Sequence, residues 1–201
     1  MNGVYIHIPF CKSKCPYCDF HSHRCDSDLQ KSYVNALVDE INTLRRVKEF
    51  LPSGFNEADT LYIGGGTPSV LKAEELEKII LAAKEKFNIT TNTEVTVECN
   101  PSSDIEALIP TFKKCGVNRI SRGMQSAVDS ERRILGRQSN KQRIKTVIDL
   151  LKSEGIENIS LDIMLGVPNQ TKESLKETLD FARECNVPHI SAYILKIEEG
   201  T

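Results

Sequence analysis

The feature that most constrains this 201-residue chain is a repeating order: a short apolar run, then a longer stretch with helical periodicity, from one end to the other. Apolar runs of strand length occupy residues 4–10, 60–63, 94–98, 119–121, 159–164 and 190–195. Helical patterns fill 28–50, 73–87, 104–115, 129–154 and 172–185; in the first of these Tyr33, Leu37, Ile41 and Leu44 share a face. Strands separated by crossover helices pair in parallel through right-handed connections. Six strands with five helical connections therefore predict an α/β fold whose sheet either lies open or curls toward a barrel; a partial (β/α)6 TIM-like barrel is favoured, since a full barrel of the familiar kind needs eight strands. The run stops after the sixth strand, at Glu198-Glu199-Gly200-Thr201, and that ending reads as cut. One globular unit over 1–201 is expected, with Pro52-Ser53-Gly54 a turn and no low-complexity linker.

Charge narrows the function. Lysine and arginine number 26 against 28 aspartates and glutamates, a net charge of −2, which argues against a nucleic-acid partner. No basic leader with a long apolar segment opens the chain, and no window reaches transmembrane length, so a cytoplasmic protein is expected. Seven cysteines, an odd number with three tightly grouped, suit a reducing compartment and metal ligation better than a disulfide framework. Cys25, Cys99, Cys115 and Cys185 read as bystanders.

The grouped three are Cys11, Cys15 and Cys18, spaced Cys-x3-Cys-x2-Cys directly after the first strand. A closed zinc site and an ordinary four-iron cluster each take four protein ligands, so three thiols point to a cluster with one iron left open for a ligand. A zinc knuckle or a disulfide pair are the alternatives.

In parallel α/β sheets ligands sit at the carboxyl ends of strands. Polar groups recur there: Gly64-Gly65-Gly66-Thr67-Pro68 after the second strand, Glu98 with Asn100 at the third, Arg122, Gly123, Gln125 and Ser126 after the fourth, and Asp162 in the fifth. Successive glycines let a backbone approach a ligand and present its N–H groups, although the same run also reads as a tight strand-to-helix turn. Glu98 and Asp162 stand in apolar strands, where a carboxylate needs a partner: a ligand, or an arginine such as Arg119, Arg122 or Arg137. His7 reads as a satisfied sheet histidine, and His21 and His23 are given no role.

The cysteine spacing with Tyr17, followed by the glycine run after the next strand, resembles radical S-adenosylmethionine (SAM) enzymes. More narrowly, the residues Tyr5 to Cys11, Glu98-Cys99-Asn100-Pro101, Gly123-Met124-Gln125-Ser126, Leu135-Gly136-Arg137 and Asp162 to Pro168 resemble the oxygen-independent coproporphyrinogen III oxidase family. That family holds an oxidase branch, which decarboxylates two propionates in porphyrin biosynthesis, and a haem chaperone branch. The resemblance implies a 4Fe-4S cluster on Cys11, Cys15 and Cys18, with SAM chelated to the fourth iron. It implies cofactor contacts from Tyr5, Gly65, Gly66, Thr67, Glu98, Gln125, Arg137 and Asp162, with Tyr17 near the adenine. A low-potential electron donor of flavodoxin or ferredoxin type would cleave the sulfonium to a 5′-deoxyadenosyl radical. The oxidase pattern has a further cysteine two residues after the third and an arm before the cluster motif; this chain has Phe20 at that position and its first cysteine at residue 11. Both features favour the chaperone branch, with haem as a tetrapyrrole ligand and haem-recipient proteins as partners; the oxidase and a structural metal module are the alternatives. Ser139 and Leu165 depart from the family pattern, and the family's C-terminal domain is expected to be absent.

Overall fold

The computed structural model describes residues 2–24, 26–43, 58–101, 104–199 and 201. Its order is β1 (Gly3–Ile8), β2 (Phe10–Cys11), β3 (His23–Arg24), α1 (Ser27–Thr43), β4 (Thr60–Gly65), α2 (Ala73–Lys86) and β5 (Glu94–Cys99). There follow α3 (Ile109–Cys115), β6 (Arg119–Gln125), α4 (Asp129–Ile134), α5 (Lys141–Ser153), β7 (Asn158–Leu165), α6 (Lys172–Glu184) and β8 (His189–Ile194). Six strands form one sheet in the order β1-β4-β5-β6-β7-β8, every pair parallel. Among the described residues the sheet is open, β1 and β8 each having a single neighbour. This is the expected α/β architecture of a partial barrel. The later part of the first expected helix, with Leu44, as well as the turn at 52–54 and Cys25, lies outside the described residues.

Side-chain alternation divides the sheet into two chemistries. Ile6 and Ile8, Leu61 and Ile63, Val95 and Val97, and Ile159, Leu161 and Ile163 point one way and are buried in a single core with helix residues such as Val34, Ile80, Phe112, Ile148 and Phe181. The residues between them, Tyr5, His7, Tyr62, Glu98, Ser121 and Asp162, are polar and occupy the opposite, concave face. That alternation explains why the apolar runs in the sequence are short and interrupted. Among the described residues no helix is long and apolar enough to cross a membrane.

Two boundaries differ from the sequence expectation in ways that matter for the site. The first strand does not run through to Phe10: Pro9 has no N–H to give a ladder, so β1 stops at Ile8 and Phe10-Cys11 pair with His23-Arg24 instead. The fourth sheet strand does not stop at Ser121 but continues to Gln125. Its second half looks polar in sequence yet Arg122, Met124 and Gln125 are all buried, and its pairing to β7 shifts register between Arg122 and Gln125, where Gln125 adopts a φ of 71°. The stretch expected to be helical over 129–154 is split by Gly136, at φ 68°, into α4 and α5.

Candidate functional site

A cavity of about 410 Å³ opens at the carboxyl ends of the strands. Cys11, Cys15 and Cys18 line it, all three as free, partly buried thiols. They sit on a loop whose two ends are joined by the His23 N–H donating to the Pro9 carbonyl at 2.8 Å, with a turn inside it where the Cys18 N–H donates to the Cys15 carbonyl at 3.1 Å. Burial pushes the Cys15 thiol up, against the opposing pull of Arg137. Among the described residues no three His, Cys, Asp or Glu side chains converge on a single metal ion. Thiolates that bind separate irons of a cluster need no such convergence.

The glycine run brings backbone against this loop. The Gly66 N–H donates to the Ile8 carbonyl at 2.8 Å, and a Cβ on Gly66 would lie 2.7 Å from the Phe10 carbonyl oxygen and 3.1 Å from the Cys11 Sγ. Gly65 has a φ of 111°, and a Cβ there would strike the His7 ring at 2.7 Å. Thr67 follows, its Oγ1 3.4 Å from the Cys11 Sγ. These glycines are needed for the close approach of the strand end to the cysteine loop and the His7 ring.

The concave face supplies the floor. Glu98 accepts from the Tyr62 hydroxyl at 2.7 Å through Oε1 and from the Gly65 N–H at 3.1 Å through Oε2. Asp162 accepts from the Ser121 hydroxyl at 3.3 Å. Burial raises both carboxyls above their ordinary values, only partly offset by these donors. Among the described residues neither carboxylate makes a direct ion pair with an arginine, although Arg137 and Arg119 lie close enough to Asp162 to favour its charged form, and both carboxylates line the cavity.

On the far wall, Arg137 donates to the Tyr17 hydroxyl from Nη2 at 2.6 Å and Nε at 3.2 Å. Burial pushes the Tyr17 phenol up to about 12. Burial alone would lower Arg137, but Tyr17 and the thiols of Cys15 and Cys18 outweigh it and leave the guanidinium above its usual value. Gln125 is 6% exposed, lines the cavity, and its Oε1 has no hydrogen-bond partner among the described residues. An orphaned buried acceptor aimed into a cavity is what a site shaped for a ligand with donor groups leaves behind.

The structure thus gathers Cys11, Cys15, Cys18, Tyr17, Gly65, Gly66, Thr67, Glu98, Gln125, Arg137 and Asp162 around one space. Tyr5 is not brought into it and is not among the lining residues: it is 57% exposed on β1, stacked on Tyr62 and bonded to His7 Nδ1 at 3.2 Å. Tyr62 and Ser121, which hold the two carboxylates, escaped sequence reading. Tyr62 looked like one more strand aromatic between Leu61 and Ile63, and only its place on the concave face, two residues before the glycine run, could have signalled it.

Comparison with known proteins agrees with this geometry. Residues 5–182 match the radical SAM superfamily. The chain is 38% identical to a heme chaperone, HemW, of Haemophilus influenzae, over 99% of this chain and 52% of that protein. It is 35% identical to a heme chaperone, HemW, of Bacillus subtilis, over 100% of this chain and 52% of that protein. The chain therefore spans about half the length of the curated relatives it matches. Among solved structures, coproporphyrinogen III oxidase (HemN) from Escherichia coli superposes with a TM-score of 0.85 at 25% identity, covering 97% of this chain and 44% of that one. The superfamily in general uses a 4Fe-4S cluster and SAM, the groups that three free thiols and a polar cavity at the strand ends suit, and this chain belongs to it.

Proposed function

We propose that this chain is the radical SAM core of a haem chaperone, in which cluster and cofactor support the binding of haem and its transfer to haem-requiring proteins. The observation that carries the reading is the convergence of three free thiols with a buried glutamine and two carboxylates around one cavity. Cys11, Cys15 and Cys18 would hold the cluster, and Gly65, Gly66 and Thr67 would bring backbone alongside it. Glu98, Gln125, Arg137 and Asp162 would bind and orient SAM, and Tyr17, held by Arg137, would flank its base. When bound, cluster and SAM together supply one-electron reductive chemistry, with the electron coming from a low-potential donor protein. Phe20, Tyr193, Ile194 and Leu195 give the cavity apolar lining suited to a tetrapyrrole, and Lys14 and Lys196 are cations among its lining residues, Lys196 paired to Glu198. The branch is favoured by the identity with heme chaperones over the whole chain and by Phe20 where the oxidase pattern has a cysteine.

Anaerobic reconstitution tests the core of this reading. Iron and acid-labile sulfide should bind, and the reduced cluster's spin-resonance spectrum should change on adding SAM. Zinc in place of iron, or no spectral response, would refute it. A haem titration of the whole protein should then reach a stoichiometric end point.

A second reading, oxygen-independent coproporphyrinogen III oxidase, has the fold superposition with that enzyme in its favour. Formation of the divinyl product from coproporphyrinogen under anaerobic reducing conditions would establish it over the chaperone.

A further inference from the structure

We propose that Tyr62 is a positioning residue for the cofactor: its hydroxyl and the Gly65 N–H clamp one oxygen each of Glu98 and fix the plane in which that carboxylate faces SAM. The inference rests on the SAM site proposed above.

Four observations support it. The Tyr62 hydroxyl donates to Glu98 Oε1 at 2.7 Å while the Gly65 N–H donates to Oε2 at 3.1 Å, so neither oxygen can rotate away without losing a donor. The phenol ring is itself held, stacked on Tyr5 with centroids 5.9 Å apart. Gly64 makes room for the pair, since a Cβ there would meet Tyr62 Cε1 at 2.8 Å and the Glu98 carboxyl carbon at 2.9 Å. Finally, Tyr62 does not line the cavity although Glu98 does, so the phenol acts on a ligand only through the carboxylate.

A charge-assisted hydrogen bond of this kind fixes geometry and favours the ionised form. The ionisable groups facing Glu98 are Tyr62 on β4, His7 and Tyr5 on β1, Asp162 on β7 and, on its own strand, Cys99. Of these, the Tyr62 hydroxyl and His7 lower the carboxyl's affinity for a proton, and Asp162 raises it. Removing the hydroxyl therefore moves protonation of Glu98 to higher pH.

The test uses the anaerobically reconstituted full chain and the dissociation constant for SAM, read from the cluster's spin-resonance response between pH 6 and 9. Wild type, Tyr62→Phe, Glu98→Gln and the double variant are compared, with iron content and thermal midpoint measured alongside. We expect Tyr62→Phe to weaken SAM binding roughly three- to tenfold with iron content unchanged, and to shift the acid limb of binding to higher pH. Glu98→Gln should weaken binding and remove that limb, and the double variant should be no weaker than Glu98→Gln alone. Full affinity with an unshifted pH profile in Tyr62→Phe, or additive losses in the double variant, would overturn the positioning role. Unchanged binding in Glu98→Gln would instead overturn the SAM site itself.

Discussion

Replacing Arg122 by methionine should make the protein more stable. Arg122 is fully buried on the helix side of β6, between Ile120 and Met124, which are both 0% exposed. Its Nε, Nη1 and Nη2 have no hydrogen-bond partner among the described residues. The acidic group nearest in effect, Glu106, is already paired to Arg143 at 2.5 Å, and the adjoining Cys99 is held as a neutral thiol by burial. Burial accordingly pulls Arg122 down to about 10, well below the ordinary guanidinium range. That fall corresponds to a penalty of about 3 kcal/mol on the charged form, at 1.36 kcal/mol per tenfold change in proton affinity. Methionine keeps most of the stem's packing and removes both the charge and the unsatisfied donors, so a gain of about 1–3 kcal/mol is expected, in the range found when buried charges give way to apolar residues. Each kcal/mol should raise the melting temperature by about 2–4 °C for a chain of this size. Because this base has its proton affinity lowered by folding, its penalty is complete below about pH 10 and is relieved only as pH climbs above that. The gain should thus be constant from pH 6 to 9. Urea titrations of both proteins at pH 6, 7.5 and 9 would measure it. A loss of about 1 kcal/mol or more, or a gain that varies across that pH range, would refute the reasoning.

Other outcomes follow from the site. Gly66→Ala should lower stability by about 1–3 kcal/mol and reduce iron uptake on reconstitution, because its Cβ collides with the Phe10 backbone and not with a flexible side chain; iron content and a urea curve check both. Glu98 and Asp162 have their carboxyls raised by burial, so the folded state retains their protons to higher pH than the unfolded chain does, and stability falls as pH rises through that window. Glu98→Gln should therefore melt above wild type at pH 8 while binding SAM more weakly, a pairing readable by calorimetry with and without the cofactor. Glu131→Ala should cost about 1–3 kcal/mol in urea, since it strands the Ser126 and Ser174 hydroxyls that donate to the carboxylate at 2.6 and 2.5 Å.

The architecture was legible because the core is apolar only on one face: Ile6, Leu61, Val95, Ile120 and Ile159 mark the strands at the positions where helices cover them. The cysteines and glycine run could be read from spacing, since each makes a local demand on the backbone. What escaped depends on contacts between distant strands. Ser121 was expected to end its strand, yet β6 runs on because Gly123 and Gln125 face a polar cavity and have no need of apolar side chains. Arginine was a reasonable partner for Glu98, but the partner is a phenol 36 positions away, brought alongside by the tertiary fold. Glu131, buried at 2% exposure among Ser126, Ser174 and Gln170, looks in sequence like an ordinary solvated helix residue.

The gap between β1 and β8 has a mechanical consequence. Five ladders connect the strand that leads into the cysteine loop to the strand that ends beside Leu195. Neighbouring parallel strands lie about 4.8 Å apart and are rotated by roughly 20° each, and that rotation varies readily between sheets. A change of about 2° at every ladder accumulates to about 10° between the two end strands, whereas a closed barrel would forbid it. The spacing of the two end strands is thus free of the constraint that ring closure would impose, while the thiols, the glycines and the carboxylates are each held by contacts to near neighbours.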